Sequence, residues 1–421
     1  MLPPLSIPKI MSHLHGTIHL DGSKSISNRA LIMMALADAE ATQYLTGLSH
    51  SKDTQTLLRL LSQRHTQTVF DAGDAGTVFR FMAAFLATQP GEQVLTGSAR
   101  MKERPVGPLV GALKELGADI EFLEKEGYPP LRIGAPAALG TGTAELRINA
   151  GVSSQFLSAI MMIAPYLPGG IRLVPEGNMV SRSYIDLTLH LMRQMGAGAG
   201  WEGEHIVVRP GGYVPRPLRI EADWSAASYW YSFVAIADSA EIRLNGLGAD
   251  SAQGDAVLPE MMKTFGVTTE FDEQGIIIRK TGPARPFFEW NFVNCPDIAQ
   301  TLAVTCAATG TQGLFTGLDT LSIKETDRIA ALKHELGKVG VSFVRLPSHF
   351  NKKKTDAVWY MAEGKAHWEP PVSIATYGDH RMAMSFAPLS LLGDIKIEAP
   401  DVVKKSYPAF WKDVEAVVKE S

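Results

Sequence analysis

The chain has 421 residues, of which 45% are hydrophobic and 20% charged, a balance typical of globular proteins long enough for two cored domains. Its formal net charge is -4, so its overall charge gives no indication of a nucleic acid or an anionic membrane surface as a partner. The two cysteines, Cys295 and Cys306, form neither a CxxC pair nor a zinc-site spacing, which argues against a disulfide framework and a metal site.

The N-terminal segment gives no sign of export. Met1–Ile10 contains three prolines and lacks a basic region followed by a long apolar run, so it does not predict a signal peptide. No stretch of the chain approaches the roughly 18 apolar residues of a membrane span. We therefore expect a protein of the reducing cytoplasm.

Four segments share one pattern: an amphipathic helix, a glycine, a short strand, a turn and a second strand. The glycines predicted to end these helices in a left-handed conformation are Gly117, Gly196, Gly266 and Gly340. Intervals of roughly 70 to 80 residues favour a repeated βαβ-type module, with about six copies or two domains of three. The Pro-rich stretch Val214–Pro217 before the helix predicted in Glu221–Ala235 is the best internal candidate for a domain boundary.

The first polar helix start lies near the N-terminus, in the segment Asp21–Leu31. Small polar residues precede an apolar run there, which places Ser23–Ser27 at the start of a helix. The free N–H groups and the positive dipole end of such a helix bind anions, and Lys24 and Arg29 add donors. Alone, the segment is equally typical of an ordinary capped helix, and the spacing of a P-loop is missing.

Similar helix starts follow along the chain. Closely spaced glycines, among them Gly76, precede an apolar helix, and Arg104 lies in a charged cluster before another. Two further helices begin after small polar residues, which cap a helix as readily as they bind a ligand. Their candidate residues are Ser153, Ser154, Gln155, Ser181 and Tyr184.

The C-terminal half adds acids to this pattern. Asp297 precedes a largely apolar helix, and Glu325 lies between Lys324 and Arg328. The spacing of Lys324 and Arg328 predicts that both lie on one helix face, which is repulsive unless an anion binds there. Further helix starts of this kind contain Asp379, His380 and Arg381, and Lys404 and Lys405. Converging cations with two carboxylates suit an enzyme of phosphorylated and carboxylated substrates, without a metal or redox cofactor.

Together, the segments GSKSISNRA, MKERP, SSQFLSA, KETDR, DHRMAM and KKSYP, in this order across nearly the whole chain, resemble the EPSP synthases (3-phosphoshikimate 1-carboxyvinyltransferases). The resemblance implies an α/β protein with the two-domain enolpyruvyl transferase fold, in which each domain has three βαβαββ repeats arranged like an inverse α/β barrel. One domain is expected at residues 21–221 and the other at residues 1–20 with 222–421, with the active site in the cleft between them.

The resemblance also implies a reaction and its residues. Phosphoenolpyruvate would transfer its carboxyvinyl group to the 5-hydroxyl of shikimate 3-phosphate through a tetrahedral intermediate, with loss of phosphate and without a cofactor. The residues implied for catalysis are Asp297 as proton acceptor, Glu325 as proton donor, and Lys24. Those implied for shikimate 3-phosphate are Lys24, Ser25, Arg29, Ser153, Ser154, Gln155, Ser181, Tyr184, Asp297 and Lys324. Those implied for phosphoenolpyruvate are Lys24, Gly76, Arg104, Gln155, Arg328, Arg381 and Lys405. The resemblance favours a monomer.

Three residues depart from the family's usual pattern. Asp74 replaces an Asn and should weaken anion binding unless Arg80 or another cation neutralises it. Phe81 replaces a Pro and is expected to shift the helix that carries Gly76. Thr320 replaces an Asn that often contacts the shikimate phosphate, so this contact is not carried over. The retained Gly76 implies sensitivity to glyphosate.

Three other functions are compatible with parts of this sequence pattern. The related transferase that acts on UDP-N-acetylglucosamine shares the element Arg104–Val106, but usually has a catalytic Cys where this chain has Ala99. A non-catalytic paralogue that binds anionic metabolites would explain Asp74 but not two acids suited to proton transfer. An RNA-processing cyclase with related repeats would need a nucleotide-binding site that the sequence does not indicate.

Overall fold

The structure is a computed structural model that describes residues 3–136, 138–141, 145–149, 154–177, 179, 181–348 and 357–420. The chain divides into two compact units: Met1–Asp21 together with Glu221–Ser421, and Gly22–Ile220. We call these the discontinuous unit and the continuous unit.

The strands are short, and most of them lie in four-stranded sheets. Their bounds are β1 Leu5–Ile7, β2 His13–His19, β3 Leu45–Thr46, β4 Val69–Asp71, β5 Gln93–Thr96, β6 Ile120–Phe122, β7 Leu131–Ile133, β8 Glu145–Asn149, β9 Ile171–Glu176, β10 Ala199–Glu202, β11 His205–Val208, β12 Leu218–Arg219, β13 Ser239–Asn245, β14 Val267–Phe271, β15 Gly275–Lys280, β16 Phe287–Asn291, β17 Gln312–Thr316, β18 Ser342–Arg345, β19 Tyr360–Glu363, β20 Val372–Ile374 and β21 Ile395–Ile397.

The helices alternate with these strands along most of the chain. Their bounds are α1 Lys24–Leu36, α2 Ala41–Tyr44, α3 Lys52–Ser62, α4 Gly76–Leu86, α5 Ala99–Lys102, α6 Gly107–Glu115, α7 Ser154–Ile163, α8 Arg182–Gln194, α9 Trp224–Ile236, α10 Leu258–Met262, α11 Ala299–Thr309, α12 Arg328–Lys338, α13 His380–Phe386 and α14 Phe410–Glu420.

Four sheets of the described chain have the same topology, which confirms the predicted repeat. In the sheet β6-β7-β5-β4, the strands β4 and β5 are parallel, whereas β5 with β7 and β6 with β7 are antiparallel. The sheets β10-β11-β9-β8, β14-β15-β13-β2 and β18-β19-β17-β16 pair in the same way. Each has the strand pairing of a βαβαββ module, a parallel pair extended by an antiparallel hairpin. In three of the four sheets an α-helix joins the parallel strands, whereas β2 and β13 are far apart in the chain.

The discontinuous unit completes one of these modules with the beginning of the chain. Strand β2, in the first twenty residues, lies parallel to β13 with Ile18 opposite Leu244. The two smaller sheets are β1-β21-β20 in the discontinuous unit and β12-β3 in the continuous unit. This module therefore combines two parts of the chain that the whole continuous unit separates in sequence.

The four glycines of the sequence pattern turn the chain from helix to hairpin. Gly117, Gly196, Gly266 and Gly340 have φ angles of 93°, 82°, 71° and 75°. This left-handed region disfavours a Cβ, so glycine ends these helices at little steric cost. The prediction that glycine ends each repeated helix is confirmed.

Apolar helices form the core of each unit. In the discontinuous unit, α9 and α11 are buried on nearly every face. In the continuous unit, α4 and α7 are buried in the same way. Helices that are apolar all round are core helices. Polar side chains inside them, such as Ser158, Ser232 and Thr305, are buried and hydrogen-bonded to other helices.

Within the described residues, no helix is long and apolar enough to cross a membrane. Among the same residues, no three His, Cys, Asp or Glu side chains are grouped as metal ligands would be.

Candidate active site

The candidate residues of the continuous unit lie at helix starts, as predicted. Lys24 is the first residue of α1, Gly76 of α4 and Ser154 of α7. Ser181 is the residue before α8, and its φ of 57° is rare for a residue with a side chain. Ser153 lies outside the described residues. The free backbone N–H groups of these helices are suited to anions.

Lys24 is paired with an acid that the sequence pattern did not identify. Its Nζ lies 3.2 Å from Oδ2 of Asp53, which belongs to the first turn of α3 and is only 4% exposed. The pair joins the starts of α1 and α3 and orients the ammonium group. An acid in the first turn of a helix commonly interacts with the helix dipole. The local sequence around Asp53 therefore does not indicate that it pairs with Lys24.

Arg29 is held by side chains from three helices. Its Nε donates to Thr188 Oγ1 at 2.7 Å and its Nη2 to Ser158 Oγ at 3.1 Å. The guanidinium lies 5.3 Å from the ring centre of Phe81 and 5.7 Å from that of Tyr184. Burial lowers the pKa of Arg29 to about 10, which still leaves it cationic at neutral pH. Arg29 therefore joins α1, α4, α7 and α8 around one fixed cation.

Two further arginines lie beside Gly76. A Cβ built on Gly76 would be 2.7 Å from Cζ of Arg104 and 2.8 Å from Nη1 of Arg80. Arg80 also donates from Nη1 to Oε1 of Gln155 at 2.9 Å and lies over the ring of Phe156. The structure thus brings together Gly76, Arg104 and Gln155. Arg80, which the sequence offered only as a neutralising cation, belongs to the same group.

The departures from the family pattern have local explanations. Asp74 is exposed and accepts a hydrogen bond from Ser98, the residue that also caps α5. Phe81 is fully buried beneath Arg29, and α4 runs without interruption from Gly76 to Leu86. The side chain of Phe81 therefore contributes the surface on which the Arg29 guanidinium lies.

In the discontinuous unit, Asp297 is surrounded by cations. It lies in the turn Pro296–Ile298 directly before α11, and its side chain is 14% exposed. Its Oδ1 is 3.1 Å from Nη1 of Arg328 and 3.6 Å from Nζ of Lys324, and its Oδ2 is 3.2 Å from Nη2 of Arg381. These three cations come from two motifs, KETDR and DHRMAM, and they converge on one carboxylate.

Glu325 shares one of these cations with Asp297. Its Oε2 lies 3.0 Å from Nη2 of Arg328, and its Oε1 lies 3.1 Å from Nζ of Lys405. Arg328 also donates from Nε to Oδ2 of the fully buried Asp379 at 2.7 Å. One guanidinium therefore contacts three carboxylates through three different nitrogen atoms.

Burial and neighbouring charges act in opposite directions on these cations. Burial disfavours the charge of Arg328, but Asp379, Glu325 and Asp297 together outweigh it and raise its pKa. For Lys324, burial is the largest effect and lowers the pKa, against the attraction of Asp297. Arg328 therefore remains charged. The charged form of Lys324 is less favourable, because neighbouring acids do not fully offset its burial.

One expectation about this segment was wrong. Lys324 and Arg328 do not share a helix face, because α12 begins only at Arg328. Asp327 ends the preceding irregular segment by accepting the N–H groups of Ile329 and Ala330. The two cations still meet, because both contact Asp297.

Arg381 and Lys405 lie at the ends of short helices. Arg381 follows His380, the first residue of α13, and Asp379 caps that helix by accepting the Arg381 N–H. Lys405 ends a short 3-10 helix before α14. Within the described part of the chain, the buried Oγ1 of Thr320 has no hydrogen-bond partner.

Sequence reasoning gave no role to several buried acids. The motif DHRMAM contains Asp379 but does not indicate its contact with Arg328, and no motif contains Asp255. Asp255 is 6% exposed and accepts a hydrogen bond from Ser225 near Arg381. The only local signal was an acid next to an apolar helix, which is common in α/β proteins.

The two sets of residues have complementary chemistry. The continuous unit gathers cations and hydroxyls at helix starts, and the discontinuous unit surrounds two carboxylates with four cations. Such cations can exchange their protein carboxylates for the phosphate or carboxylate of a ligand. The fold and the site define an α/β protein of two units equipped for acid-base chemistry on anionic small molecules.

Comparison with known proteins gives the family. The sequence profile of EPSP synthase (3-phosphoshikimate 1-carboxyvinyltransferase) matches residues 8–67 and 60–414. A 3-phosphoshikimate 1-carboxyvinyltransferase of Bacteroides fragilis (strain YCH46) is 43% identical over 405 residues, covering 96% of this chain and 95% of the relative. One from Sulfurovum sp. (strain NBC37-1) is 34% identical, covering 97% and 98%. The chain belongs to the EPSP synthase family.

Solved structures agree on the fold. EPSP synthase from Acinetobacter baumannii superposes with a TM-score of 0.78 at 22% identity, covering 99% of this chain and 98% of that one. The predicted α/β, two-domain enolpyruvyl transferase fold is confirmed.

Proposed function

We propose that the chain transfers the carboxyvinyl group of phosphoenolpyruvate to the 5-hydroxyl of shikimate 3-phosphate and releases phosphate. It is a transferase of the shikimate pathway, which leads to chorismate and the aromatic amino acids. The observation that carries this proposal is the pair of acids, Asp297 and Glu325, each on one of the two terminal nitrogens of Arg328. A protein that only binds anions has no use for two acids placed in this way.

The continuous unit supplies most of the contacts to shikimate 3-phosphate. Ser25, Ser153, Ser154, Gln155, Ser181 and Tyr184 provide hydroxyl, amide and backbone donors, and Arg29 a fixed cation. The support is that the described residues among them lie at the starts of α1, α7 and α8 or pack against them. Lys324 and Asp297 of the discontinuous unit contact the same substrate.

Phosphoenolpyruvate is held by cations from both sets. Lys24, Arg104, Arg328, Arg381 and Lys405 bind its phosphate and carboxylate, with Gly76 and Gln155 beside them. The forked donors of arginine suit both groups. The close approach of Arg104 to Gly76 supports this role, because a side chain there would displace the guanidinium.

The chemical step needs one proton acceptor and one proton donor. Asp297 accepts the proton of the 5-hydroxyl, whose oxygen attacks C2 of phosphoenolpyruvate, while Glu325 protonates the methylene carbon. A tetrahedral intermediate forms, and it loses phosphate and a methyl proton to restore the carbon–carbon double bond. The three cations around Asp297 favour the charged carboxylate that a base requires.

Glu325 must instead be protonated when it acts. In the structure it is paired with Arg328 and Lys405, both of which favour its charged form. Binding of phosphoenolpyruvate brings negative charge to these same two cations and weakens their attraction for Glu325. Substrate binding therefore favours a proton on Glu325 at the moment it is needed.

The test is phosphate release by the purified protein given phosphoenolpyruvate with shikimate 3-phosphate, and with UDP-N-acetylglucosamine in parallel. We expect release only with shikimate 3-phosphate, and a loss of about a hundredfold or more for Asp297→Asn and Glu325→Gln. The matched control is Asp319→Asn, an exposed acid in the turn before the same segment.

Each other outcome would identify an alternative. Release with UDP-N-acetylglucosamine would favour the related transferase. Binding of shikimate 3-phosphate without any release, in folded protein, would favour a non-catalytic paralogue in which Asp74 or Phe81 has altered the site.

We further propose that the protein works as a monomer in the cytoplasm, without a nucleic acid or membrane partner. For the cytoplasm, the support is that both cysteines are buried free thiols, which suits a reducing compartment. For the monomer, the support is the family resemblance alone. Sedimentation at micromolar concentration would test the monomer, because a second species would contradict it.

A further inference from the structure

Besides Asp297, Arg381 contacts two residues of one helix. Its Nη2 lies 3.5 Å from Oγ of Ser225, and its Nη1 lies 3.5 Å from the hydroxyl of Tyr229. Ser225 and Tyr229 are one turn apart on α9, so they lie on the same face of this helix. Arg381 as a whole residue is only 7% exposed.

The hydroxyl of Ser225 is itself oriented by a buried acid. It donates to Oδ2 of Asp255, which lies in the short helix Gly254–Val257 and is 6% exposed. Because its proton points to Asp255, the lone pairs of Ser225 are left for Arg381. The first turn of α9 is fixed by Asp223, which accepts the N–H of Ser225 at 2.8 Å.

We infer that Ser225 and Asp255 are positioning residues, which hold Arg381 in the orientation in which it binds phosphoenolpyruvate. Arg381 gives up part of its contact with Asp297 when the substrate carboxylate arrives. Ser225 and Tyr229 lie on a core helix and keep the guanidinium in place during this exchange. Asp255 has no contact of its own with the substrate in this inference and acts through Ser225.

The charge of Asp255 fits this arrangement. Burial raises the pKa of Asp255 to about 7, with a further contribution from the negative charge of Asp297, whereas Arg381 lowers it. When Asp255 is protonated on one oxygen, its other oxygen can still accept the hydrogen bond from Ser225. Its role therefore depends on the hydrogen bond and not on a full negative charge.

The inference rests on the proposed function, so it is tested with steady-state kinetics of the full chain. We expect Ser225→Ala to raise KM for phosphoenolpyruvate about tenfold, with KM for shikimate 3-phosphate changed less than threefold. Ser225→Thr keeps the hydroxyl and should restore most of the affinity. Asp255→Asn keeps an acceptor and should change KM less than Asp255→Leu does.

The matched control is Ser232→Ala, on the same helix. Ser232 is fully buried, more so than the partly exposed Ser225, and its hydroxyl accepts a hydrogen bond from Thr305 at 2.8 Å. Its removal should lower the melting temperature at least as much as Ser225→Ala, but leave KM for phosphoenolpyruvate unchanged. This comparison separates positioning of Arg381 from a general loss of packing in α9.

A double variant tests the connection between the two positioning residues. If Asp255 acts through Ser225, the effects of Ser225→Ala and Asp255→Leu on KM will not add. Additive effects, or equal KM values for Ser225→Ala and Ser232→Ala, would overturn the inference. If the unmodified protein shows no phosphate release with both substrates, the proposed function has failed and not this inference alone. Where Asp255→Leu does not fold, Asp255→Asn supplies the comparison.

Discussion

Arg328 and Asp379 form a buried ion pair, in which Nε of the arginine lies 2.7 Å from Oδ2 of an acid that is fully inaccessible to solvent. Asp379 also accepts the N–H of Arg381, so one carboxylate fixes the backbone of α13 and the side chain of Arg328. The remaining nitrogens of Arg328 point to Asp297 and Glu325. Asp379 thereby sets the orientation of a cation that both proposed proton-transfer acids share.

Removing the charge of Asp379 should destabilise the fold. In Asp379→Asn the cap of α13 can persist, but a buried arginine loses one of its three carboxylates. We expect the free energy of unfolding to fall by about 3 kcal/mol, near the lower end for breaking a buried pair, because Asp297 and Glu325 remain. Urea unfolding at neutral pH would measure it.

An exposed ion pair provides the control for this prediction. Glu121 pairs with Arg132 at 2.9 Å, but its side chain is 62% exposed. Glu121→Gln should leave the free energy of unfolding nearly unchanged, because water screens the pair. A cost for Asp379→Asn no larger than that of Glu121→Gln would show that the buried pair does not stabilise the fold.

The fold was predictable because its signal is local and repeated. The glycines at positions such as Gly117 and Gly340 each follow an amphipathic helix, and both have the left-handed conformation that the pattern predicts. Repetition of the pattern indicated a module, which the sheet pairings bear out in four copies. Which strand completes which module was not predictable, because β2 joins β13 from a distant part of the chain.

The candidate site was predictable only in part, because only the local features of its residues can be read from the sequence. The positions of Lys24 and Arg381 at helix starts follow from capping residues within a few positions of each. Their partners do not follow, because Asp53 and Ser225 come from other helices and have no distinguishing local pattern. The face shared by Lys324 and Arg328 was mispredicted because spacing alone ignores the cap at Asp327.

Phe81 should matter through Arg29. Its ring centre lies 5.3 Å from the Arg29 guanidinium, so Phe81→Leu loses a cation–π contact as well as volume. We expect unfolding free energy to fall by about 2 kcal/mol and KM for shikimate 3-phosphate to rise several-fold. The control is Phe85→Leu, one turn further along α4 and equally buried. If both variants leave the substrate KM unchanged, Phe81 is only a core residue.

Gly76 should be intolerant of a methyl group. In Gly76→Ala the added Cβ would lie within 3 Å of the Arg104 and Arg80 guanidinium groups, which must move. We expect KM for phosphoenolpyruvate to rise about tenfold, from the loss of one charged hydrogen bond. Gly111→Ala in α6 is the control, because a Cβ there meets nothing within 4 Å. Its helix should be unchanged or slightly more stable.

The retained Gly76 also predicts that the unmodified protein is inhibited by glyphosate. The space beside the Arg104 guanidinium is open only while residue 76 has no side chain. We expect glyphosate to compete with phosphoenolpyruvate and Gly76→Ala to weaken the inhibition. Phosphate release at a near-normal rate in millimolar glyphosate would contradict this prediction.

Asp255 should make the stability of the protein depend on pH. Burial raises its pKa to about 7, above the usual value of 3.8, while Asp297 and Asp223 add repulsion and Arg381 attraction. The folded state therefore holds a proton that the unfolded state has lost between these two values. Its contribution to stability is fully present below about pH 4 and is lost as the pH rises through 7.

Asp255→Asn removes this dependence, so the variant should gain stability relative to the unmodified protein between pH 5 and pH 8, by a few kcal/mol at most. Urea unfolding of both proteins at the two pH values would measure the difference. An equal change with pH in both would mean that Asp255 is already ionised in the folded state at pH 5, and that Ser225 and Arg381 stabilise its charge despite its burial.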